Sequence, residues 1–335
     1  MKRLPFPLII VLAALISAAV IGGAFFYYYP SRESLQALNS NDFVISAASD
    51  PALRVVGVMI DNHPDARPES GVARAKIVYE APVEGGLTRY LAIFDSQQTA
   101  AEVGPVRSAR PYFLDWLQEY GDGLYMHSGG SPEALNLIKA RNIFDANEFF
   151  WGEYYWRSQG RPAPHNLYTN SDNWTKIVDR YGSTSSMFTA DRAWKYSRLV
   201  GQTIGKKGEL KIPYGPANMV SWIYDAETLD YARFINGQPE IDKDGTAVRA
   251  RNILVQITGV KEIAGDDKGR VEIAAVGGGE AIILKKGSVT YGTWKKSSPS
   301  ARTRFYDRNK NEVVLAPGNT WVEVTPKETN ILVTD

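Results

Sequence analysis

The chain contains no cysteine among its 335 residues. That excludes disulfides, thiolate nucleophiles, Cys-ligated zinc and iron–sulfur clusters, and it rules out an anchor made of a lipid-modified cysteine. Histidine is scarce, with three residues, and the sequence has no His-Glu-x-x-His motif and no Gly-x-Ser-x-Gly elbow around Ser108 or Ser128. A surplus of either charge is also lacking. Of 38 basic side chains, Lys2 and Arg3 stand at the start, and the other 36 face 37 acidic ones. A nucleic-acid-binding domain is usually plainly basic, so no nucleic-acid partner is expected. No repeat, heptad run or extended low-complexity tract occurs. Stability must come from packing, for which 8 Trp, 18 Tyr and 12 Phe supply aromatic area.

What is present begins at the N-terminus. Lys2 and Arg3 precede an uncharged run from Phe6 to Tyr29, closed by Tyr27, Tyr28 and Tyr29. At about 1.5 Å per helical residue this run spans a hydrocarbon core of roughly 30 Å. It exceeds the roughly 7–15 residues of a secretory h-region. The basic pair belongs on the cytoplasmic side, and the tyrosines suit the opposite interface. The sequence therefore predicts a cytoplasmic stub over 1–5, a single-pass transmembrane signal anchor in the lipid bilayer over 6–29, and an extracytoplasmic remainder. A cleaved signal peptide is the competing expectation, but the aromatic block is a poor fit to a cleavage region. Both export the bulk of the chain, which makes envelope polymers, peptides and ions better ligands than ATP, NAD or chromosomal DNA.

Residues 30–52 are polar and rich in small side chains, as expected of a linker. Apolar runs of strand length follow at Arg54–Ile60, Ile77–Val83 and Thr88–Phe94, then a helical period from Pro111 and a short strand at Leu124–His127. Ser131-Pro132-Glu133 starts a second helix, Ser171-Asp172 caps a third, and Ala190–Tyr196 is expected to form a fourth. This alternation predicts an α/β (α+β) ligand-binding domain over 53–200. From Asn218 short β-type runs recur, with Asn236-Gly237 a hairpin signal, so a smaller, mainly antiparallel β domain is expected over 212–326, with a tail over 327–335.

All three histidines, His63, His127 and His165, sit in polar, turn-rich contexts, and two of them directly follow a predicted strand. Loops leaving the carboxyl ends of strands build the ligand crevice of open α/β sheets. Asp61, Asn62, His63 and Arg67, then Arg107, Ser108 and Arg110, then His127, Ser128, Gly129 and Gly130 are thus candidates for one rim, with Glu84 and Arg89 beside them. Arg107 and Arg110 stand just ahead of a helix N-terminus, where guanidiniums and free N–H groups favour a phosphate or carboxylate. The competing expectation is that these arginines brace the domain against Glu80, Glu84, Asp95 and Glu102. A hydrolase or transferase would use His127 or His165 as base, Ser128 or Ser108 as nucleophile and Asp61 as orienting acid, but scattered residues of these types occur by chance. Spacing demands neither a metal nor a cofactor, and none is expected.

Val58-Met59-Ile60-Asp61-Asn62, Val83-Glu84-Gly85-Gly86-Leu87-Thr88-Arg89 and Gly104-Pro105-Val106-Arg107-Ser108-Ala109-Arg110 resemble segments of the YerB-like lipoproteins, a bacterial family without an assigned molecular function. Arg233-Phe234-Ile235-Asn236-Gly237 and Thr303-Arg304-Phe305-Tyr306-Asp307 continue the resemblance, which covers roughly 53–326. It implies an α/β domain followed by a β-rich one, and supplies no reaction and no catalytic residues. The family's usual lipobox cysteine is missing here. The sequence thus favours a membrane-anchored, extracytoplasmic protein that binds an anionic or carboxylate-bearing envelope polymer or peptide. An envelope enzyme and a protein-docking scaffold are the alternatives.

Overall fold

The computed structural model describes residues 54–181, 193–197 and 208–334. The expected stub, anchor and linker (1–52) lie outside them. Among the described residues no helix is long and apolar enough to cross a membrane.

Strands dominate. In chain order they are β1 Val55–Asp61, β2 Ile77–Pro82, β3 Thr88–Asp95, β4 Leu124–His127, β5 Asp145–Asn147, β6 Trp156–Arg157 and β7 Leu167–Tyr168 in the first half. The second half holds β8 Glu209–Gly215, β9 Asn218–Asp225, β10 Asp230–Ile235, β11 Gln238–Pro239, β12 Arg249–Ala250, β13 Asn252–Thr258 and β14 Val260–Glu262. It ends with β15 Val271–Ile273, β16 Gly277–Lys285, β17 Ser288–Lys296, β18 Arg304–Asp307, β19 Thr320–Pro326 and β20 Leu332–Thr334. The described α-helices are α1 Pro111–Leu117, α2 Pro132–Ala140 and α3 Ser171–Tyr181. Ser131 Oγ accepts from Ala134 N at 3.2 Å and caps α2. At α3 the capping acceptor is Asn170, whose Oδ1 takes the Asn173 N–H at 3.0 Å, one residue ahead of the expected Ser171. The described part of the expected fourth helix, 193–196, is not helical, because Tyr196 pairs with Leu315 in a parallel bridge.

Ten strands form one sheet in the order β18-β17-β16-β13-β19-β2-β3-β1-β4-β5. Its middle joins the two halves of the sequence, since β19 runs parallel to β2 with Thr320 opposite Ile77 and Glu323 opposite Glu80. The halves therefore share this sheet. Every residue of β1 is buried, as a central strand covered on both faces requires. Val56, Val58 and Ile60 face a core with Trp174 of α3 and with Ile212, Val220 and Trp222 of a six-stranded sheet built from β8–β12 and β20. Val55 and Met59 face the other core, with Phe113, Trp116 and Leu117 of α1 and Ala134 and Ile138 of α2. Gly57 lets α1 lie close: a Cβ there would sit 2.6 Å from Leu117 Cδ1. Near the far edge, Trp294 and Phe305 turn inward, and so do Lys296 and Arg302, which pair with the buried Glu119.

Candidate functional site

The segment after Val103 crosses the strand ends as an extra extended piece. Ser70 bridges Gly104, Ile60 bridges Val106, and Ala109 bridges Gly130. Asp61 N donates to Pro105 O at 2.9 Å, Arg107 N to Met59 O at 2.9 Å, and Ser128 N to Arg107 O at 3.0 Å. The exits of β1 and β4 are thereby stitched to either side of residues 104–110. Gly104 holds the entry with φ at +150°, and a Cβ on it would meet Leu167 O at 2.7 Å.

These pieces wall a cleft of about 410 Å³ lined by Asp61, His63, Glu84, Thr88, Arg89, Arg107, Ser108, Arg110 and Gly130, with Lys268 and Arg270 reaching in from the β14–β15 hairpin. Five cationic side chains and two carboxylates line it, with Arg270 also paired to Asp266 and Lys268 to Asp267 just outside the wall. Arg110 is fully engaged: Nε donates to Glu84 Oε1 at 2.7 Å, Nη2 pairs with the same carboxylate, and Nη1 donates to Ala109 O at 2.7 Å. Arg89 adds an ion pair to Glu84 at 3.5 Å and donates to Ser108 O at 3.1 Å. Arg107 touches Asp61 Oδ2 through Nε at 2.9 Å, and its terminal nitrogens meet no acceptor among the described residues. Burial, then the neighbouring Arg110, bring the Arg89 guanidinium down to about 10. Burial disfavours the Glu84 charge, but Arg89 and Arg110 outweigh it and hold that carboxyl below its ordinary range.

Asp61 ties the cleft to a second group of side chains. Its Oδ2 accepts from His165 Nδ1 at 2.7 Å, and its Oδ1 accepts from His63 N at 3.2 Å. The His63 and His165 rings stack with centroids 4.6 Å apart. His165 itself stands behind His63 and is absent from the cleft wall.

Several candidates are placed elsewhere. His127 is fully buried, stacked on Tyr125, with Nδ1 at 2.7 Å from Gly129 O and Nε2 at 3.1 Å from Asp145 Oδ2. It cannot offer a donor to a ligand or act as a base in the cleft. The loop behind it is equally committed: Gly129 N donates to Asn147 Oδ1, Ser131 N to Ala109 O, and Ser128 Oγ to Glu148. Nor does a helix end supply the positive field at Arg110, because α1 has seven residues and Pro111 has no N–H to give. Asn62 lies beneath the cleft, donating to Thr88 Oγ1 at 2.7 Å and accepting from Arg67 Nε at 2.9 Å. Arg67 continues to Ala217 O at 3.2 Å and Asn218 Oδ1 at 3.3 Å, clipping the start of β9. Lys268 and Arg270 are cleft residues that the sequence alone does not disclose. Their hairpin lies some 160 residues beyond the other wall, and nothing local announces where it folds.

Residues 45–184 match the family model described as protein of unknown function (DUF3048), N-terminal domain, and residues 210–322 match its C-terminal domain. YerB of Bacillus subtilis (strain 168), which carries a lipoprotein name, is 32% identical over 279 residues, spanning 82% of this chain and 81% of that protein. The chain belongs to the DUF3048 family. A crystal structure of the YerB protein from Bacillus subtilis matches this fold with a TM-score of 0.77 at 28% identity, covering 88% of this chain and 99% of that one. The two-part DUF3048 layout, rich in strands with few helices, is thus common to both. The departure from the usual lipobox noted above stands: this DUF3048 chain has no cysteine to acylate.

Proposed function

We propose that this DUF3048 protein is held at the cell membrane by its N-terminal apolar run and binds an anionic or carboxylate-bearing envelope ligand in the cleft between the β1 exit and residues 104–110. The observation that carries this is the terminal nitrogens of Arg107, which no acceptor among the described residues uses, in a cleft lined mainly by cations. Arg89, already crowded by Arg110, gains from any added anion. Guanidiniums suit planar carboxylates and phosphates because they can donate two parallel bonds. Arg110, pinned by Glu84, supports the cleft floor, while Arg107, Ser108 and Lys268 make the contacts. The lipoprotein name of YerB and the uncharged 6–29 run support an extracytoplasmic setting, and with no cysteine the run itself must serve as the anchor.

Titrating the full chain in detergent with carboxylate-bearing wall glycopeptides and with a polyol-phosphate fragment tests this. Wild-type protein binds one of them. Replacing Arg107 by Ala weakens binding at least tenfold while the melting temperature stays within a few degrees. Unfolding of that variant, or undiminished binding, would leave Arg107 a purely bracing role.

The Asp61–His165 hydrogen bond favours one second reading, an envelope hydrolase or transferase. His165 donates Nδ1–H to the carboxylate, so Nε2 is left as the basic nitrogen, and Ser108 lines the adjoining cleft. Incubation with purified wall fragments, followed by mass spectrometry, should then yield new products that His165→Ala removes. No turnover, with or without divalent metal, argues against it.

A further inference from the structure

We infer that His63, His165 and Asp65 form a site for one divalent transition-metal ion of the zinc class, at the edge of the cleft. One donor atom from each residue lies within 4.8 Å of the other two. The His63 Nδ1 and Asp65 Oδ2 atoms are 3.6 Å apart. Two ligands each about 2.0–2.2 Å from a tetrahedral zinc ion stand about 3.4 Å apart, so the His63–Asp65 pair already has near-ligating spacing. His165 is already set for coordination. Its Nδ1–H is donated to Asp61 Oδ2 at 2.7 Å, which leaves the Nε2 lone pair for the ion. A carboxylate behind a ligating imidazole in this way fixes its tautomer and raises its basicity. Asp61 is itself held by Arg107 Nε and by His63 N–H.

His63 gives up only the 3.1 Å bond that its Nδ1 accepts from Asp65 N. Two imidazoles and one carboxylate select zinc-like ions over magnesium or calcium, which prefer all-oxygen shells. Since His63 also lines the cleft, the remaining coordination positions fall to water or to an anion there. The sequence hides this site, because 63 and 165 are a hundred residues apart and meet only through the β1 exit.

The test uses the full chain without a polyhistidine tag, titrated calorimetrically with Zn²⁺ alone and, in parallel, with Co²⁺ monitored by visible absorption. One ion binds per chain, and Co²⁺ develops the d–d bands of a four-coordinate site. His63→Ala, His165→Ala and Asp65→Asn each weaken binding at least tenfold. Asp61→Asn, which removes the charge behind His165, weakens it by about 10–100-fold. Asp65 is 70% exposed, so Asp65→Asn reports on the site even where a histidine variant misfolds. Absence of saturable binding, or equal affinity in Asp65→Asn and wild type, overturns the assignment. Anion titrations repeated in EDTA keep this outcome separate from that of the cleft.

Discussion

Arg233 sits in the core shared with the six-stranded sheet. Fully buried, it pairs with Glu80 and Glu240 and lies over the rings of Trp321 (4.7 Å), Tyr90 (5.4 Å) and Trp222 (5.7 Å). Nearby Glu323 accepts from Trp222 Nε1 at 2.6 Å and from Tyr214 at 2.7 Å, and burial together with Glu80 raises its carboxyl well above the ordinary range. Asn62, Thr88 and Asn218 extend the same network upward to the cleft floor. Arg233→Ala strands Glu80 and Glu240 without a countercharge, and breaking a buried pair in this way costs about 3–5 kcal/mol. Urea unfolding of the variant should show that loss; a change below about 1 kcal/mol would mean that the carboxyls are neutral without Arg233. The sequence discloses the arginine but not its burial. The same blindness misplaced His127: its Ser- and Gly-rich surroundings suggest a rim, whereas the β4–β5 pairing seals it.

Among elements, strands were the easiest to read. Apolar runs at 54–60, 77–83 and 88–94 stand within a residue or so of β1, β2 and β3, because burial on both faces demands unbroken hydrophobicity. Asp61, His63 and Glu84 follow those runs, Arg89 lies within one, and Arg107, Ser108 and Arg110 precede a helix start, so the sequence discloses them. Registers and sheet neighbours are not disclosed, since the parallel β2–β19 contact joins segments more than 200 residues apart. The close seat of α1 on β1 makes a sharp case at this scale. Gly57→Val drives two methyl groups against Leu117, Leu91 and Ile93, and overpacking of that kind costs about 1–3 kcal/mol. A melting temperature at or above that of wild type would show that α1 can shift without loss.

Across the whole molecule, the shared ten-stranded sheet explains how a cleft in the first half acquires cations from the second. The β14–β15 hairpin delivers Lys268 and Arg270 to the cleft wall, and Arg67 bonds to Ala217 and Asn218 at the start of β9. Both halves are needed to complete the wall, so neither alone would present it.

The most direct check is a crystal structure of the chain grown with the tightest-binding wall fragment. A carboxylate or phosphate should lie within hydrogen-bond distance of the Arg107 terminal nitrogens, between Ser108 and Lys268. A fragment lodged elsewhere, with Arg107 still turned only toward Asp61, would contradict an anion-binding cleft.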